Sequence, residues 1–370
     1  MKDKTNIGIF AFAMVLIGEV VGVSFSTGRE ALSYFADFGP MSFLGMFLAY
    51  CLIFLLGYMS YVAARNMDKY TFDWVMTPLG WTPLRIFNLV FSAIFLINAL
   101  SAMFAGTGSI LQSIFGLPYI VGSGIMLIAS LITASLSTNK FANIFKYLVP
   151  FMIVLAITVS AVCAFDPIVS GESFENAHSD NPLLRTWYLS AFVYFGLQTG
   201  PLTQTIIPLA PQVKGKREAA IGNVIGGVCI YALASLLLLA TVRNYSIASQ
   251  GEVPILEMAF AKSTPLGLVY CVAALLAIYS TTSAFLLIIK SIIKDVKPIK
   301  DSAGKQTAVL GILSIIGLAL STLGFSTIID KVYAIIGYAS FIGIAGILVN
   351  YFYYKKHPVN PDTALDKADL

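Results

Sequence analysis

Long apolar runs separated by short polar segments dominate the chain. The charge-free runs Met41–Ala64, Tyr147–Phe165 and Ser263–Ile289 each suit a helix that crosses a bilayer, which takes about 20 apolar residues. The run Ile86–Asn139 is too long for one crossing and divides at the turn signal Phe115-Gly-Leu-Pro118. The remaining spans are Ile7–Phe35, Thr186–Val213, Ala219–Val242, Gln306–Ile329 and Val332–Tyr354. The pattern therefore predicts an all-α polytopic membrane protein with ten transmembrane helices.

Composition narrows the function classes. Hydrophobic residues make up 58% of the chain and charged residues 11%, whereas a soluble domain is about 25% charged. The net charge of +4 is small and unclustered, which argues against a nucleic-acid partner. No histidine cluster, metal-spacing motif, nucleophile–base pair or phosphate-binding glycine loop is present, so we expect neither an enzyme nor a resident cofactor. The cysteines lack the paired spacing of a disulfide framework or a zinc site: Cys51, Cys163, Cys229 and Cys271.

Basic residues predict the orientation. With the N-terminus placed inside and the loops alternating, 18 of the 23 lysines and arginines fall on the inner side. Positive residues favour the cytoplasmic side of a membrane, so both termini are predicted to be cytoplasmic. The longest outer loop, Asp166–Arg185, is acidic, which agrees with this orientation.

Span 1 carries polar residues and glycines where an ordinary span is apolar. Its segment Gly18–Glu30 contains three glycines, two serines and a threonine. Glu19 lies near mid-depth, where a carboxylate costs about 2.5–3.5 kcal/mol unless it faces a cavity or a partner. Irregular backbone is tolerated in a membrane only where it lines a cavity or is buried in protein. We therefore predict a helix broken near the bilayer centre.

Span 6 is interrupted in a similar way by Gly196, Gly200 and Pro201. A proline kink stabilised by neighbouring hydroxyl groups is the alternative interpretation. Interrupted spans at the start of two halves indicate a transporter binding site within an inverted repeat of five plus five helices. The predicted organisation is residues 1–165 for the first repeat, 166–185 for an extracellular loop, 186–354 for the second repeat and 355–370 for a cytoplasmic tail.

Three further segments carry candidate chemistry. Tyr279-Ser-Thr-Thr-Ser283 in span 8 places four serine and threonine hydroxyls in a row, which suits an oxygen-lined ion site, although such hydroxyls often bond their own helix. In span 3, Asn98 and Ser101 favour either helix packing or contact with a ligand. The loop Ile247–Lys262 is too apolar for a free loop and too short to span the membrane, which predicts a re-entrant or lid helix over the outer vestibule.

The stretch from Gly22 to Glu30, followed by Ala31–Gly39, resembles the Gly-Ala-Gly-Phe-Ala-Ser-Gly-Gln-Glu segment of YkvI-type bacterial membrane proteins. These are transporters by similarity to the amino acid–polyamine–organocation superfamily, which has the LeuT-type fold with broken helices 1 and 6. The resemblance implies a bacterial cytoplasmic (inner) membrane. Arg29 stands where the YkvI-type pattern has Gln, and Glu19 stands where LeuT-like proteins have a neutral amide.

The resemblance also implies roles for residues. Substrate contacts are expected at Glu19, Val20, Gly22, Val23, Ser24, Tyr194, Phe195, Gly196 and Gln198, with Asn98 and Ser101 as further candidates. A sodium site would use the carbonyls of Gly18, Val21 and Ile278 and the hydroxyls of Thr281 and Thr282. Arg29 and Glu30 are expected to have gating or structural roles.

The predicted function is cation-coupled secondary transport of a small organic solute, an amino acid or an amine, through the bilayer. Three roles stay open for Glu19: carrier of a coupling proton, counter-ion of a cationic substrate, or structural partner of Arg29. Na⁺ and H⁺ both stay open as the coupling ion. A ligand-sensing receptor subunit of the same fold, like those that detect spore germinants, is the alternative function.

Overall fold

The computed structural model describes residues 7–20, 27–135, 138–169, 181–294 and 302–359. Most of these residues are helical, because in a bilayer a helix bonds its own backbone groups where no water can. The α-helices are α1 (Ile9–Val20), α2 (Arg29–Tyr34), α3 (Ser42–Met67), α4 (Phe72–Val75), α5 (Thr82–Phe115), α6 (Tyr119–Ser135), α7 (Thr138–Phe165), α8 (Trp187–Leu209), α9 (Lys216–Arg243), α10 (Tyr245–Ala248), α11 (Pro254–Lys262), α12 (Thr264–Lys294), α13 (Ala303–Ser321), α14 (Phe325–Thr327), α15 (Tyr333–Ala339) and α16 (Phe341–Lys356). Short 3₁₀ helices lie at Ala36–Met41, Pro78–Gly80 and Ala210–Gln212, and a π-helical turn lies at Ile328–Val332. Within these ranges there is no β-strand, and an isolated bridge pairs Ile7 with Val213.

Helices long and apolar enough to cross a membrane are present throughout the described ranges. Six such stretches are Ala36–Met67, Thr82–Phe115, Lys216–Arg243, Thr264–Lys290, Gly304–Ser321 and Phe325–Lys356. Two shorter apolar helices, Tyr119–Ala134 and Ile153–Phe165, coincide with predicted spans 4 and 5. Because α1 and α2 fall in predicted span 1 and α8 in span 6, the arrangement fits ten spans. The predicted all-helical membrane fold is confirmed.

The boundary between spans 9 and 10 differs from the prediction. Helix α13 ends at Ser321, and Gly324 turns the chain with a φ of 88°. The last span then begins at Phe325 rather than after Lys331. Asp330 suggested a loop, but it lies inside this span because its charge is paired there, as described below.

The spans pack around two sets of contacts, which α7 and α12 join by packing against each other. Helix α3 packs along α8, and α9 packs against α1, α3 and α7. In the second set, α5 packs against α6, α12 and α13. Helix α15 crosses α8 with backbone almost touching backbone, since a Cβ added to Gly196 would collide with the carbonyl oxygen of Gly337. The reverse holds for Gly337, whose Cβ would meet the carbonyl oxygen of Val193.

Span 1 is discontinuous. Helix α1 ends at Val20 and α2 starts at Arg29, and Gly28 between them has a left-handed φ of 74°. A Cβ on Gly28 would also lie 2.8 Å from Ile255 Cγ1, so glycine suits both the turn and the close packing. The break that we predicted around residues 21–26 lies outside the described residues.

Span 6 requires a correction, because α8 runs without interruption through Pro201. The proline removes only the N–H that would bond the carbonyl of Leu197. Nearby hydroxyls reinforce the helix: Thr199 donates to the carbonyl of Phe195 at 2.9 Å, and Thr203 donates to that of Thr199 at 2.7 Å. The proline-kink interpretation therefore describes this span better than a break.

The loop between spans 7 and 8 folds as a helix, as predicted for a lid. Helix α11 buries Pro254, Ile255, Leu256, Met258 and Ala259. Its position over Gly28 places it against the start of α2.

Candidate functional site

An ion pair joins α2 to the last span at the outer end of the bundle, which we name after the predicted orientation. Arg29 Nε donates to Asp330 Oδ1 at 3.3 Å, and Arg29 Nη2 lies 2.5 Å from Oδ2. Arg29 Nη1 donates to the carbonyl oxygen of Gly251 at 3.4 Å, and the Ser33 hydroxyl donates to Asp330 Oδ1 at 2.5 Å. The two charged side chains are only 14% and 23% exposed, so water screens this pair less than a surface pair. Arg29 thus links α2, the loop before α11 and span 10.

Glu252, beside Gly251, makes a second connection at this end. Its carboxylate accepts hydrogen bonds from the Ser109 hydroxyl of α5, from the backbone N–H of Phe325 at 3.3 Å and from the Ser326 hydroxyl at 3.3 Å. The loop before α11 is therefore hydrogen-bonded to span 3 and to span 10 through Glu252. We call Arg29, Ser33, Glu252 and Asp330 the outer latch.

Glu30 follows Arg29 on α2, but its side chain is buried in the protein and only 3% of the residue is exposed. Gln198 Nε2 of α8 donates to Glu30 Oε2 at 3.3 Å. One short helix therefore carries both a residue of the outer latch and a buried carboxyl group that contacts span 6.

Aromatic rings pack around Tyr194, which lies one helical turn before Gln198 on α8. The ring of Tyr194 lies 4.9 Å from that of Phe35, 5.3 Å from that of Tyr34 and 6.1 Å from that of Tyr50, measured between centroids. We call Glu30, Tyr34, Tyr50, Tyr194 and Gln198 the Glu30 cluster. Its members come from spans 1, 2 and 6.

The structure brings together only some of the predicted substrate residues. Tyr194 and Gln198 belong to the Glu30 cluster. By contrast, Gly196 faces Gly337, and the ring of Phe195 lies 6.0 Å from that of Phe341. Packing against span 10 is thus the observed role of these two neighbours.

Three of the predicted site residues in spans 3 and 8, Asn98, Ser101 and Thr282, bond within their own helices. Asn98 Nδ2 donates to the carbonyl of Ile94 at 2.9 Å, and the Ser101 hydroxyl donates to the carbonyl of Asn98 at 2.7 Å. Thr282 is buried and donates to the carbonyl of Ile278 at 2.6 Å, whereas Thr281 is half-buried. The ligand roles of these residues stay predictions.

The remaining predicted site residues fall in, or directly before, the part of span 1 that the structure does not describe. Gly18, Glu19 and Val20 are the last residues of α1, and the structure describes their backbone but not their side chains. Residues Val21, Gly22, Val23 and Ser24 lie outside the described residues. In the ranges that the structure does describe, no three His, Cys, Asp or Glu side chains are grouped to hold a metal ion.

Sequence reasoning missed Asp330 and Glu252 as functional candidates and gave Glu30 only a gating or structural role. For Glu30 the available signal was its position directly after the glycine-rich segment of span 1. For the other two residues the signal was a charge near the outer end of an apolar run. Pairing between Arg29 and Asp330 spans 301 positions, and no local pattern reveals a contact at that separation.

A cavity of about 420 Å³ opens between α3 and α9, away from the outer latch. Its walls are nearly all apolar, and rim residues such as Leu55 and Val224 are 57% and 63% exposed. Tyr50 belongs to both this wall and the Glu30 cluster. The lining suits hydrocarbon rather than a polar solute.

Comparisons with known proteins give the fold. No family model matches the chain. A curated relative, the uncharacterized membrane protein YkvI of Bacillus subtilis (strain 168), is 24% identical over 339 residues, which cover 91% of this chain and 94% of the relative.

Solved transporter structures match nearly the whole chain at low identity. The nucleobase–cation symport family transporter Mhp1, closed with bromovinylhydantoin bound, matches with a TM-score of 0.61 and 12% identity over 99% of this chain and 84% of that one. MhsT in complex with L-phenylalanine matches with a TM-score of 0.57 and 14% identity over 93% and 95%. A manganese transporter variant from Eremococcus coleocola matches with a TM-score of 0.57 and 12% identity over 94% and 86%. The chain is a helical membrane protein with the LeuT-type fold of these transporters.

Proposed function

We propose that the protein is a secondary active transporter of a small organic solute, coupled to a cation and working by alternating access. The observation that carries this proposal is the position of the outer latch next to the Glu30 cluster. The latch is a set of hydrogen bonds that can open and re-form, and beside it lies a buried carboxyl group. Ionisable groups inside a membrane protein are costly and mark solute or ion pathways.

The matched structures support this proposal. One is a transporter of a nucleobase–cation symport family, another is in complex with L-phenylalanine and another is a manganese transporter. These proteins share a fold and differ in cargo, so the likeness supports transport and does not specify the solute. From the resemblance of span 1, an amino acid or an amine is the solute class that we propose, with H⁺ or Na⁺ as the coupling ion.

Alternating access assigns a role to each end of the bundle. When the outer latch opens, α2 moves away from span 10 and the Glu30 cluster becomes reachable from outside. At the inner end, the N–H of Ile7 donates to the carbonyl of Gln212 at 2.9 Å, and Phe12 of α1 lies against Gly222 of α9. Movement of α1 away from α9 would open the inner path. The two ends then open in turn.

Uptake into proteoliposomes tests the proposal. We expect the purified protein to accumulate at least one member of a radiolabelled panel of amino acids and amines when an inward Na⁺ or H⁺ gradient is imposed. Accumulation should collapse when the gradient is removed. Empty liposomes and liposomes with heat-denatured protein are the controls.

A receptor would behave differently in the same preparation. A solute that raises the thermal stability of the protein, because it binds the folded state, but never accumulates under either gradient would contradict transport. That result would favour the ligand-sensing alternative.

A further inference from the structure

A groove on the outside of the helix bundle, formed by the cavity of about 420 Å³, runs between α3 and α9. Its lining comes from residues 47–58 of α3 and residues 220–231 of α9, and on both helices the lining residues follow the spacing i, i+3, i+4, i+7, i+8 and i+11. Each helix therefore presents one continuous face to the groove. The amide on this wall, Asn223, is only 3% exposed, and its Nδ2 donates to the carbonyl of Ala219 at 3.1 Å.

The two faces run antiparallel and cover about one leaflet of a bilayer. The ring of Phe47 lies 5.6 Å from that of Tyr231 near the outer end, and a Cβ added to Gly57 would lie 3.1 Å from Asn223 Oδ1 near the inner end. Eleven residues of helix rise about 16 Å, which is about half of a hydrocarbon core of roughly 30 Å. An apolar groove of this length, open along membrane-spanning helices, suits one acyl chain of a lipid.

Basic residues continue both faces beyond the inner end of the groove. Arg65 follows Phe47 by 18 residues, which is about five turns, so it lies on the same face of α3. Lys216 and Arg217 precede Ala220 by four and three residues, which places them on the groove face of α9. Arg65 Nε is buried and has no hydrogen-bond partner among the described residues. Cations from both helices thus collect at one end of the groove.

The contact between Gly57 and Asn223 sets these cations at a common depth. Arg65 lies eight residues beyond Gly57 toward the inner end, and Lys216 lies seven residues beyond Asn223 in the same direction, which is about 10–12 Å in each case. Glu218 lies about 160° around α9 from Lys216 and is therefore off the groove face. In the part of the chain that the structure describes, none of the three cations is paired with a carboxylate. Their charge is available to an anionic ligand.

We propose that the groove between α3 and α9 binds an anionic phospholipid of the inner leaflet. One acyl chain lies against the aromatic and aliphatic wall, and the phosphate lies beside Arg65, Lys216 and Arg217. Phosphate oxygens accept charge-assisted hydrogen bonds, which is what an arginine N–H without a partner lacks. Basic residues at the cytoplasmic ends of membrane helices also attract anionic lipids electrostatically. This binding is independent of which solute the protein transports.

Native mass spectrometry of the purified, delipidated protein tests the headgroup. The protein is titrated with dioleoyl phosphatidylglycerol and with dioleoyl phosphatidylcholine, which share their acyl chains and differ in net charge. We expect the wild type to bind phosphatidylglycerol more tightly, and the double variant Lys216→Gln/Arg217→Gln to lose about 25-fold in that affinity, about fivefold for each basic residue. The matched control is Lys355→Gln/Lys356→Gln, which removes two exposed charges from the inner end of α16 and should leave the preference unchanged.

A second variant tests the position of the acyl chain. Val224→Trp places a large ring in the groove and should weaken binding of both lipids, whereas Val349→Trp, on a face of α16 where valine is 43% exposed, should not. Equal affinity of the wild type for the two lipids, or an unchanged affinity in Lys216→Gln/Arg217→Gln, would overturn the role of the cations. Undiminished binding of phosphatidylglycerol by Val224→Trp would overturn the groove as its site.

Discussion

Arg29 and Asp330 interact with two hydrogen bonds between one guanidinium and one carboxylate, which is the geometry in which arginine binds most strongly. The pair is partly buried, so its contribution exceeds that of an exposed pair. Asp330 also accepts from Ser33, and its backbone carbonyl accepts from Asn181 Nδ2 at 2.7 Å. A single residue, Asp330, thus organises the outer end.

Removing either partner should loosen that end. For Arg29→Ala and for Asp330→Asn we expect faster amide hydrogen exchange in Phe325–Val332 and in the loop around Gly251, because a charge-assisted hydrogen bond contributes about 1.5–3 kcal/mol. Amide exchange in the double variant should be little faster than in either single variant, because both substitutions remove the same interaction.

Strictly additive effects of the two substitutions would contradict the pairing. Lys331→Ala is the matched control, because this neighbouring charge is not part of the outer latch.

Helices α8 and α15 cross at a contact that only glycine permits. The backbone carbonyls of Val193 and Gly337 lie where side chains would begin, so neither helix can yield by rotating a side chain. This crossing fixes the position of span 6, and with it Tyr194 and Gln198, relative to span 10.

Gly196→Ala should therefore lower the thermal stability of the protein. Overpacking costs about 1–3 kcal/mol even where neighbours can shift, and here the neighbour is backbone. Gly124→Ala on α6 is the control, because a Cβ there meets no atom within 4 Å. We expect Gly124→Ala to be neutral or stabilising in a thermal unfolding assay in detergent, and equal losses for the two variants would contradict the proposed contact.

The elements were predictable because apolar runs report span length directly. The break predicted in span 1 from its glycines and Glu19 stays a prediction, because it lies outside the described residues. The end of span 9 was not predictable. Asp330 is a charged residue inside span 10, and its partner Arg29 is remote in the sequence. For span 6, Pro201 by itself cannot distinguish a kink from a break, because neighbouring hydroxyls decide the outcome. The Glu30–Gln198 contact was unpredictable because span-to-span register is not encoded in helices that are apolar on every face.

At the scale of the whole molecule, the orientation predicted from the basic residues can be tested with the native cysteines. All four lie in apolar runs, and the exposed ones, Cys51 and Cys229, belong to membrane-spanning helices. Wild-type protein in membranes should therefore resist a membrane-impermeant maleimide, because the reagent does not enter hydrocarbon.

Single added cysteines then report the side of the membrane. Ser249→Cys, in the outer loop, should be labelled in intact cells, and His357→Cys, after α16, only in inverted vesicles; both positions are exposed. The opposite labelling pattern would reverse the predicted orientation and exchange the names of the two ends.

The tight crossing of α8 and α15 has a consequence for how α2 detaches. Span 6 carries Gln198 and span 10 carries Asp330, and the glycine contact makes these spans behave as one body. Helix α2 is then bound to that body at two points, through Arg29 and through Glu30. When one bond breaks, the other keeps the partners at high effective concentration, so the broken bond re-forms quickly. Release requires both to be open at once, which makes detachment all-or-none rather than gradual.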